Sequence, residues 1–261
     1  MENEIELRIG FFFSVLIIIA LWECVHPKRK LRINRNIRWV RNLSLVALNS
    51  IATRLILPFT AASIAIYAEQ NQIGLLNFLP IPLWLAVIVS IVLLDLIIYA
   101  QHLASHHFPI FWRFHKIHHI DQDIDVTTGV RFHPIEIIIS TLIKCAAVML
   151  LGIPFIAIVM FEIILNATSM FNHGNINLPE KLDKWLRLII VTPDMHRIHH
   201  SIIHTETNSN FGFNLPWWDR LFGTYQEQPQ KCQMNMDIGL NEYQNINETR
   251  LLDLIAIPFK H

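Results

Sequence analysis

The stretch HLASHHFPIFWRFHKIHH, residues 102–119, carries six imidazoles directly after a strongly apolar run. His102 and His106 are four residues apart, a spacing that puts both rings on one face of a helix. His115, His118 and His119 follow in HKIHH, and the same i, i+3, i+4 pattern returns as His196, His199 and His200 in HRIHH. His173 stands apart in FNHGN. Neutral imidazole is the common nitrogen ligand of iron, zinc and copper. Imidazoles grouped this densely cannot all be charged without strong repulsion, and a bound metal requires their neutral form. Eight or nine nitrogen ligands exceed what one ion takes, since zinc holds about four and octahedral iron about six. The count suits two metals with open positions. Cys24, Cys145 and Cys232 lie far apart with no CxxC spacing, so neither an iron–sulfur cluster nor a disulfide framework is expected. A nitrogen-rich pair of sites without thiolates argues against structural zinc and suits redox iron that activates dioxygen.

The elements that must hold these residues are apolar. The 261 residues are 52% hydrophobic and 16% charged, against about 25% charged in soluble domains. Scarce glycine (8 residues) and abundant aliphatic side chains favour helices over a lipid-embedded barrel, whose strands would alternate. Formal net charge is zero, so nothing points to a nucleic-acid partner. Four apolar segments are expected, at about 5–25, 43–68, 81–100 and 135–170. The first lacks a basic n-region and a cleavage site and reads as an anchor. The second is interrupted by Arg54 and Pro58. The third is long enough to cross about 30 Å of hydrocarbon at about 1.5 Å per residue. The fourth is too long for one straight helix. Gly152-Ile153-Pro154 lies within it, so it reads as two helices, spanning or re-entrant.

Lys28, Arg29, Lys30, Arg32, Arg35, Arg38 and Arg41 fall between the first two segments, whereas the short EQNQIGLLN loop has no basic residue. Lys/Arg excess marks the cytoplasmic side. The amino terminus is therefore expected outside and the histidine clusters inside. The reading is one all-α integral membrane domain over 1–261: a helical bundle with a cytoplasmic histidine-rich cap holding a dimetal site. Its histidine-rich catalytic region is 95–225 and its polar tail 226–261. A bacterial inner membrane and an ER-like membrane fit equally well.

The ordered motifs HLASH, FHKIHH, RFHPIE, FNHGN, TPDMHRIHHS and NSNFGFNLPWWDRLFGTY resemble the fatty acid hydroxylase/sterol desaturase superfamily of membrane non-haem diiron oxygenases. The resemblance spans residues 95–225, and its last two motifs are the most specific. It implies that His102, His106, His115, His118, His119, His173, His196, His199 and His200 ligate two iron ions, with dioxygen as co-substrate. It implies hydroxylation or desaturation of a lipid C–H bond, in a fatty acyl or sterol-like substrate. The cofactor carries the oxidising chemistry, so no catalytic acid or base is assigned beyond the ligands. Family members often show HRxxH at the first motif, and HLASH departs from this. Two histidines on one face remain, so the departure bears on substrate geometry more than on metal binding.

Several neighbours bear on the site. His107 points about 100° away from His106 on a helix, which suggests a supporting or interfacial role, with ligation as the alternative. His133 precedes Pro134 at the start of a helix, as a cap, a support or a ligand. Asp95 and Asp194 could accept the second ring N–H of a ligating histidine. So could Asp121, Asp123 and Asp125, although DQDIDV also reads as a solvated loop. WWDRLFGT is expected to pack the cap onto the bundle. No haem motif, GxGxxG or cysteine cluster is present, so electrons must come from a separate ferredoxin, cytochrome b5-like protein or flavoprotein reductase. The competing reading is a non-enzymatic histidine-based membrane metal transporter or metal-binding protein. A transporter would place its ligands near the bilayer midplane, whereas these histidines gather at segment ends.

Overall fold

Proline and glycine set the ends of the apolar helices. The computed structural model describes residues 4–244 and 250–260, and among these it has helices and two isolated backbone bridges but no β-strand. The first apolar segment is α1 (Glu4–Val25). The second divides into α2 (Arg35–Ile56) and α3 (Ala61–Gln70). Pro58 cannot continue a helix, because it lacks an N–H and its ring clashes with the preceding turn. Thr60 then restarts the chain with a capping box, its hydroxyl accepting from Ser63 N at 3.1 Å while Ser63 Oγ accepts from Thr60 N at 2.9 Å.

The third segment is α4 (Leu83–His107), which runs on past residue 100 and carries His102 and His106 on its last turns. It stops at Phe108, which the following proline holds in an extended conformation (φ −97°, ψ 119°). Pro109 opens α5 (Pro109–His119), so the chain turns sharply and lays HKIHH against HLASH. The fourth segment is α6 (Pro134–Leu151) and α7 (Phe155–Asn172). Gly152 closes α6 with a left-handed φ of 67°, which glycine adopts without penalty. A β-carbon there would come within 2.9 Å of the Ile73 carbonyl. The remaining helices are short: α8 (Glu180–Leu186), α9 (Pro193–His199), α10 (His204–Thr207), α11 (Trp217–Phe222) and α12 (Leu251–Ala256).

Five apolar stretches are long enough to cross a membrane among the described residues: α1, the broken α2–α3 stretch, α4, α6 and α7. Ala61, Ala62, Ala65 and Ala68 are buried and let α3 approach α6 and α7 closely. Leu16, Ile19 and Ala20 seat α1 in a cluster with Met170 of α7. Leu55, Trp84 and Leu150 face outward. The histidine-bearing elements form a cap at one end of this bundle.

Two expectations change. Residues 35–41 are not loop: they are the first turns of α2, and Arg38 and Arg41 are buried in the cap. The tail is not wholly polar. Leu254 and Ile257 pack beside Leu45, Ile117 and Ile120. Residues 245–249 and 261 of that tail lie outside the described residues.

Candidate metal centre

The nine histidines singled out by spacing meet as two sets. His102, His106, His115, His119 and His199 form one, and His118, His173, His196 and His200 the other. Within each set one ring nitrogen per residue lies within 4.8 Å of all the others, so each set could hold one ion. Eight of the nine residues are buried, His106 being the half-buried one.

Backbone carbonyls fix the rings. A carbonyl can only accept, so the nitrogen facing it carries the proton. His102 Nδ1–H donates to Phe211 O at 2.7 Å, His173 to Ser169 O at 2.7 Å, His199 to Ser209 O at 2.7 Å and His118 to Arg131 O at 3.2 Å. His115 Nδ1 meets Glu136 Oε1 at 2.6 Å, a carboxylate support of the kind that raises ligand basicity. In the neutral rings Nε2 is then a bare lone pair. His118 Nε2 and His173 Nε2 face each other at 3.0 Å, and His196 Nε2 and His200 Nε2 lie 3.0 and 3.2 Å from His173 Nε2. Lone pairs that close repel unless a cation sits among them. Ligand nitrogens about 2.1 Å from one ion and at right angles around it would be about 3.0 Å apart, so the spacing fits. In the other set, Nε2 of His102, His115 and His199 is buried with no hydrogen-bond partner. Burial, reinforced by neighbouring imidazoles, holds His118, His119, His196 and His200 far below the usual histidine range, and His173 and His199 at about 3. The rings therefore stay neutral, as ligation requires.

The cap around the rings is built from turns as well as short helices. Asp219 of α11 accepts from Phe211 N and Gly212 N, both at 2.8 Å, and so presents the Phe211 carbonyl to His102. Asn210, at a left-handed φ of 53°, donates to Met195 O at 3.0 Å and ties that loop to α9. Phe132 stacks on His118 with ring centres 4.6 Å apart. Behind α5, Arg38 donates to Asp121 at 2.9 Å and also pairs with Asp125. Arg131 donates to Ile117 O and Asn42 Oδ1, both at 2.8 Å, while its own carbonyl holds His118. Burial alone would raise the Asp121 pKa, but Arg38 and Arg131 hold it well below the carboxylate range.

The other singled-out residues lie outside both sets. His107 is exposed, with Nδ1 2.9 Å from Leu103 O. His133 caps α6, its Nδ1 accepting from Ile135 N at 3.1 Å. Asp95 accepts from Trp218 Nε1 at 2.8 Å and Leu215 N at 3.2 Å, joining cap to bundle. Asp194 pairs with Lys28 at 2.8 Å and Arg197 at 2.5 Å. Asp121, Asp123 and Asp125 are buried, not solvated: Asp121 and Asp125 pair with Arg38, and Asp123 accepts from Arg32 N and Ile33 N. Glu136 was missed. Its signal lay in RFHPIE, where a carboxylate follows a helix-opening proline by two residues. Trp217 donates to Leu188 O while remaining largely exposed, so only part of WWDRLFGT packs inward.

An 810 Å³ cavity between α1, α2, α4, α6 and α7 opens onto His102 and His115. Ile98, Phe132, Met170 and Phe213 line it near the rings.

A model of the fatty acid hydroxylase family matches residues 87–224, more than half of the chain. The chain is 28% identical over 235 residues to the ornithine lipid hydroxylase OlsE of Rhizobium tropici, covering 88% of this chain and 69% of that protein. It is 23% identical over 247 residues to the alkylglycerol monooxygenase of Xenopus tropicalis, covering 93% of this chain and 52% of that one. A very-long-chain aldehyde decarbonylase of Oryza sativa is 26% identical over 174 residues, 62% of this chain and 27% of its own length. The chain thus spans about half or less of the last two relatives. No solved structure matches it. Because the family match runs across the residues that build both histidine sets, the chain belongs to the fatty acid hydroxylase family and is a membrane-embedded oxidoreductase.

Proposed function

We propose that the two histidine sets hold two iron ions, and that the protein uses dioxygen and electrons from a separate donor to hydroxylate or desaturate a lipid C–H bond. The observation that carries this is the convergence of the Nε2 atoms of His118, His196 and His200 at 3.0–3.2 Å around that of His173, with His118 and His173 both holding their proton on the opposite nitrogen. Family membership supports the oxidative reading over transport. The nitrogen-only donor set, with no thiolate, supports iron over structural zinc. Iron bound there supplies dioxygen activation, the chemistry needed to oxidise a C–H bond to an alcohol or to leave an alkene.

The chain's own residues do the positioning. Phe211, Ser209, Ser169 and Arg131 hold four Nδ1–H groups on their carbonyls, which fixes the ring tautomer and the direction of each Nε2. Glu136 holds His115 at the cavity wall. Ile98, Phe132, Met170 and Phe213 keep water from the approach and leave room for an apolar chain. We further propose that the site faces the cytoplasm, because Lys28 to Arg41 lie at the cap end of the bundle. The protein is read as one domain, with its histidine-rich region at 95–225.

The test is metal analysis of purified protein together with lipid profiling of cells with and without it. Two irons per chain, and a lipid heavier by one oxygen or lighter by two hydrogens, are expected. A pure zinc protein with unchanged lipids would overturn the proposal.

A further inference from the structure

The cavity that reaches His102 and His115 is not a plain apolar slot. Lys144 lies ten residues into α6, about 15 Å from its start at about 1.5 Å per residue and so near the middle of a bilayer. There Lys144 Nζ donates to Glu162 of α7 at 2.6 Å, and Arg8 of α1 pairs with the same carboxylate. All three line the cavity. Arg54 of α2 lines it too, and it has no ion-pair partner among the described residues. Asn49 donates to Phe132 O at 2.9 Å, which sets it level with the start of α6. Arg54 is five residues further on, about 7 Å deeper. Three cations therefore share a lining in which Glu136 is engaged by His115 and Glu162 by Lys144 and Arg8; Glu4 also pairs with Arg8 at 2.8 Å, and Arg54 is the cation left without a carboxylate among the described residues.

Ionised side chains within the hydrocarbon layer are costly and mark the path or site of a charged species. A bond made only to tie α1, α6 and α7 together would account for Arg8, Lys144 and Glu162. It leaves Arg54 unanswered, and it leaves Arg8 Nε buried with no acceptor. An anion in the cavity answers both.

We propose that the cavity binds a lipid through an anionic group, a carboxylate or a phosphate, held by Arg54 with Arg8 and Lys144 beyond it. The anion then sits about 7–15 Å from the level of the histidines. Resting on the oxygenase reading, the carbon oxidised is fixed by its distance from that anion and not from the methyl end of the chain.

The test uses the full chain in detergent, with radiolabelled palmitate as probe in equilibrium dialysis. Hexadecyl phosphate, hexadecanol and inorganic phosphate are the competitors. One charge-assisted contact at the cavity wall predicts that the better anionic amphiphile binds about tenfold or more tighter than hexadecanol. Whichever of palmitate and hexadecyl phosphate binds better identifies the head. Arg54→Gln should lose that preference while keeping hexadecanol affinity and the melting temperature, and Arg54→Lys should retain it. Hexadecanol binding as tightly as the anions, or a preference that survives Arg54→Gln, overturns the proposal. Displacement by inorganic phosphate as efficient as by hexadecyl phosphate assigns the cations to a free anion and overturns the lipid part. Binding needs no iron, so a protein that shows the preference yet oxidises nothing would sink the oxygenase reading and leave the anion site standing.

Discussion

The bundle and the cap solve opposite problems with the same helical backbone. In the bundle, alanines of α3 face inward while Leu55, Trp84 and Leu150 face out. In the cap, Arg38, Asp125, Arg197 and eight of the nine clustered histidines are buried. Outside the bundle is hydrocarbon, so apolar side chains lose nothing by exposure and close packing does the holding. Inside the cap each polar group needs a partner, because burial without one is costly. The cap finds partners because it is irregular. Ser209, Phe211 and Arg131 lie in loops, and Ser169 in the last turn of α7, where its carbonyl accepts both the His173 backbone N–H at 3.3 Å and the ring Nδ1–H at 2.7 Å. In the interior of a regular helix the three loop carbonyls would have been spent on backbone N–H groups.

This contrast can be broken from the cap side first. His118→Ala or His173→Ala should abolish stoichiometric iron and reduce activity to background, read by metal analysis and lipid turnover. Retention of both irons would show that the second set is not a ligand cluster. Arg38→Met leaves Asp121 and Asp125 buried beside each other and should cost about 3–5 kcal/mol, measured by thermal or denaturant unfolding. If stability holds, Arg41 and Arg131, 3.5 and 3.7 Å from Asp121, are enough to carry the acids. Glu136→Gln keeps an acceptor for His115 but removes its charge, and should lower metal affinity or activity about 10- to 100-fold with unfolding little changed. At the joint of the α6–α7 hairpin, Gly152→Ala imposes a left-handed conformation on a residue with a side chain, for about 1–2 kcal/mol from the backbone, and the β-carbon's approach to the Ile73 carbonyl adds to that loss, read by thermal unfolding. Last, Leu55→Ala and Leu150→Ala on the outward face should shift stability by no more than about 0.5 kcal/mol. A larger loss would mean that face packs against protein.

Much of the fold was legible because proline, glycine and apolar length speak locally. Gly152 and Pro154 announced the hairpin, and Pro58 announced the break that became the α2–α3 joint. The start of α2 was not legible, since a run rich in Arg and Lys reads as a loop until its partners are known. Those partners, Asp121 and Asp125, looked like solvated acids for the same reason: each half of a buried ion network resembles surface by itself. The histidine spacing indicated which rings share a face. It could not indicate that neighbours His118 and His119 would join different sets, because that division depends on where α7 and α9 arrive. Asp95 and Asp194 had the right chemistry to support a ring, but they are spent on Trp218 and on Lys28 with Arg197. Glu136 fills that place instead, from a helix that comes later in the chain.

The single-residue joint at Phe108 has a kinetic corollary. It brings His102, His106, His115 and His119, four of the first set's five members, together within one short helical hairpin. The other set joins residues 55 apart at His118 and His173 and waits further for His196 and His200. Short-range contacts form early in folding, whereas distant closures come late. Four of the five rings of the first pocket can therefore gather while much of the polypeptide is still unassembled, and α9 acts as the clasp that completes both sets when it docks, bringing His199 to one and His196 to the other.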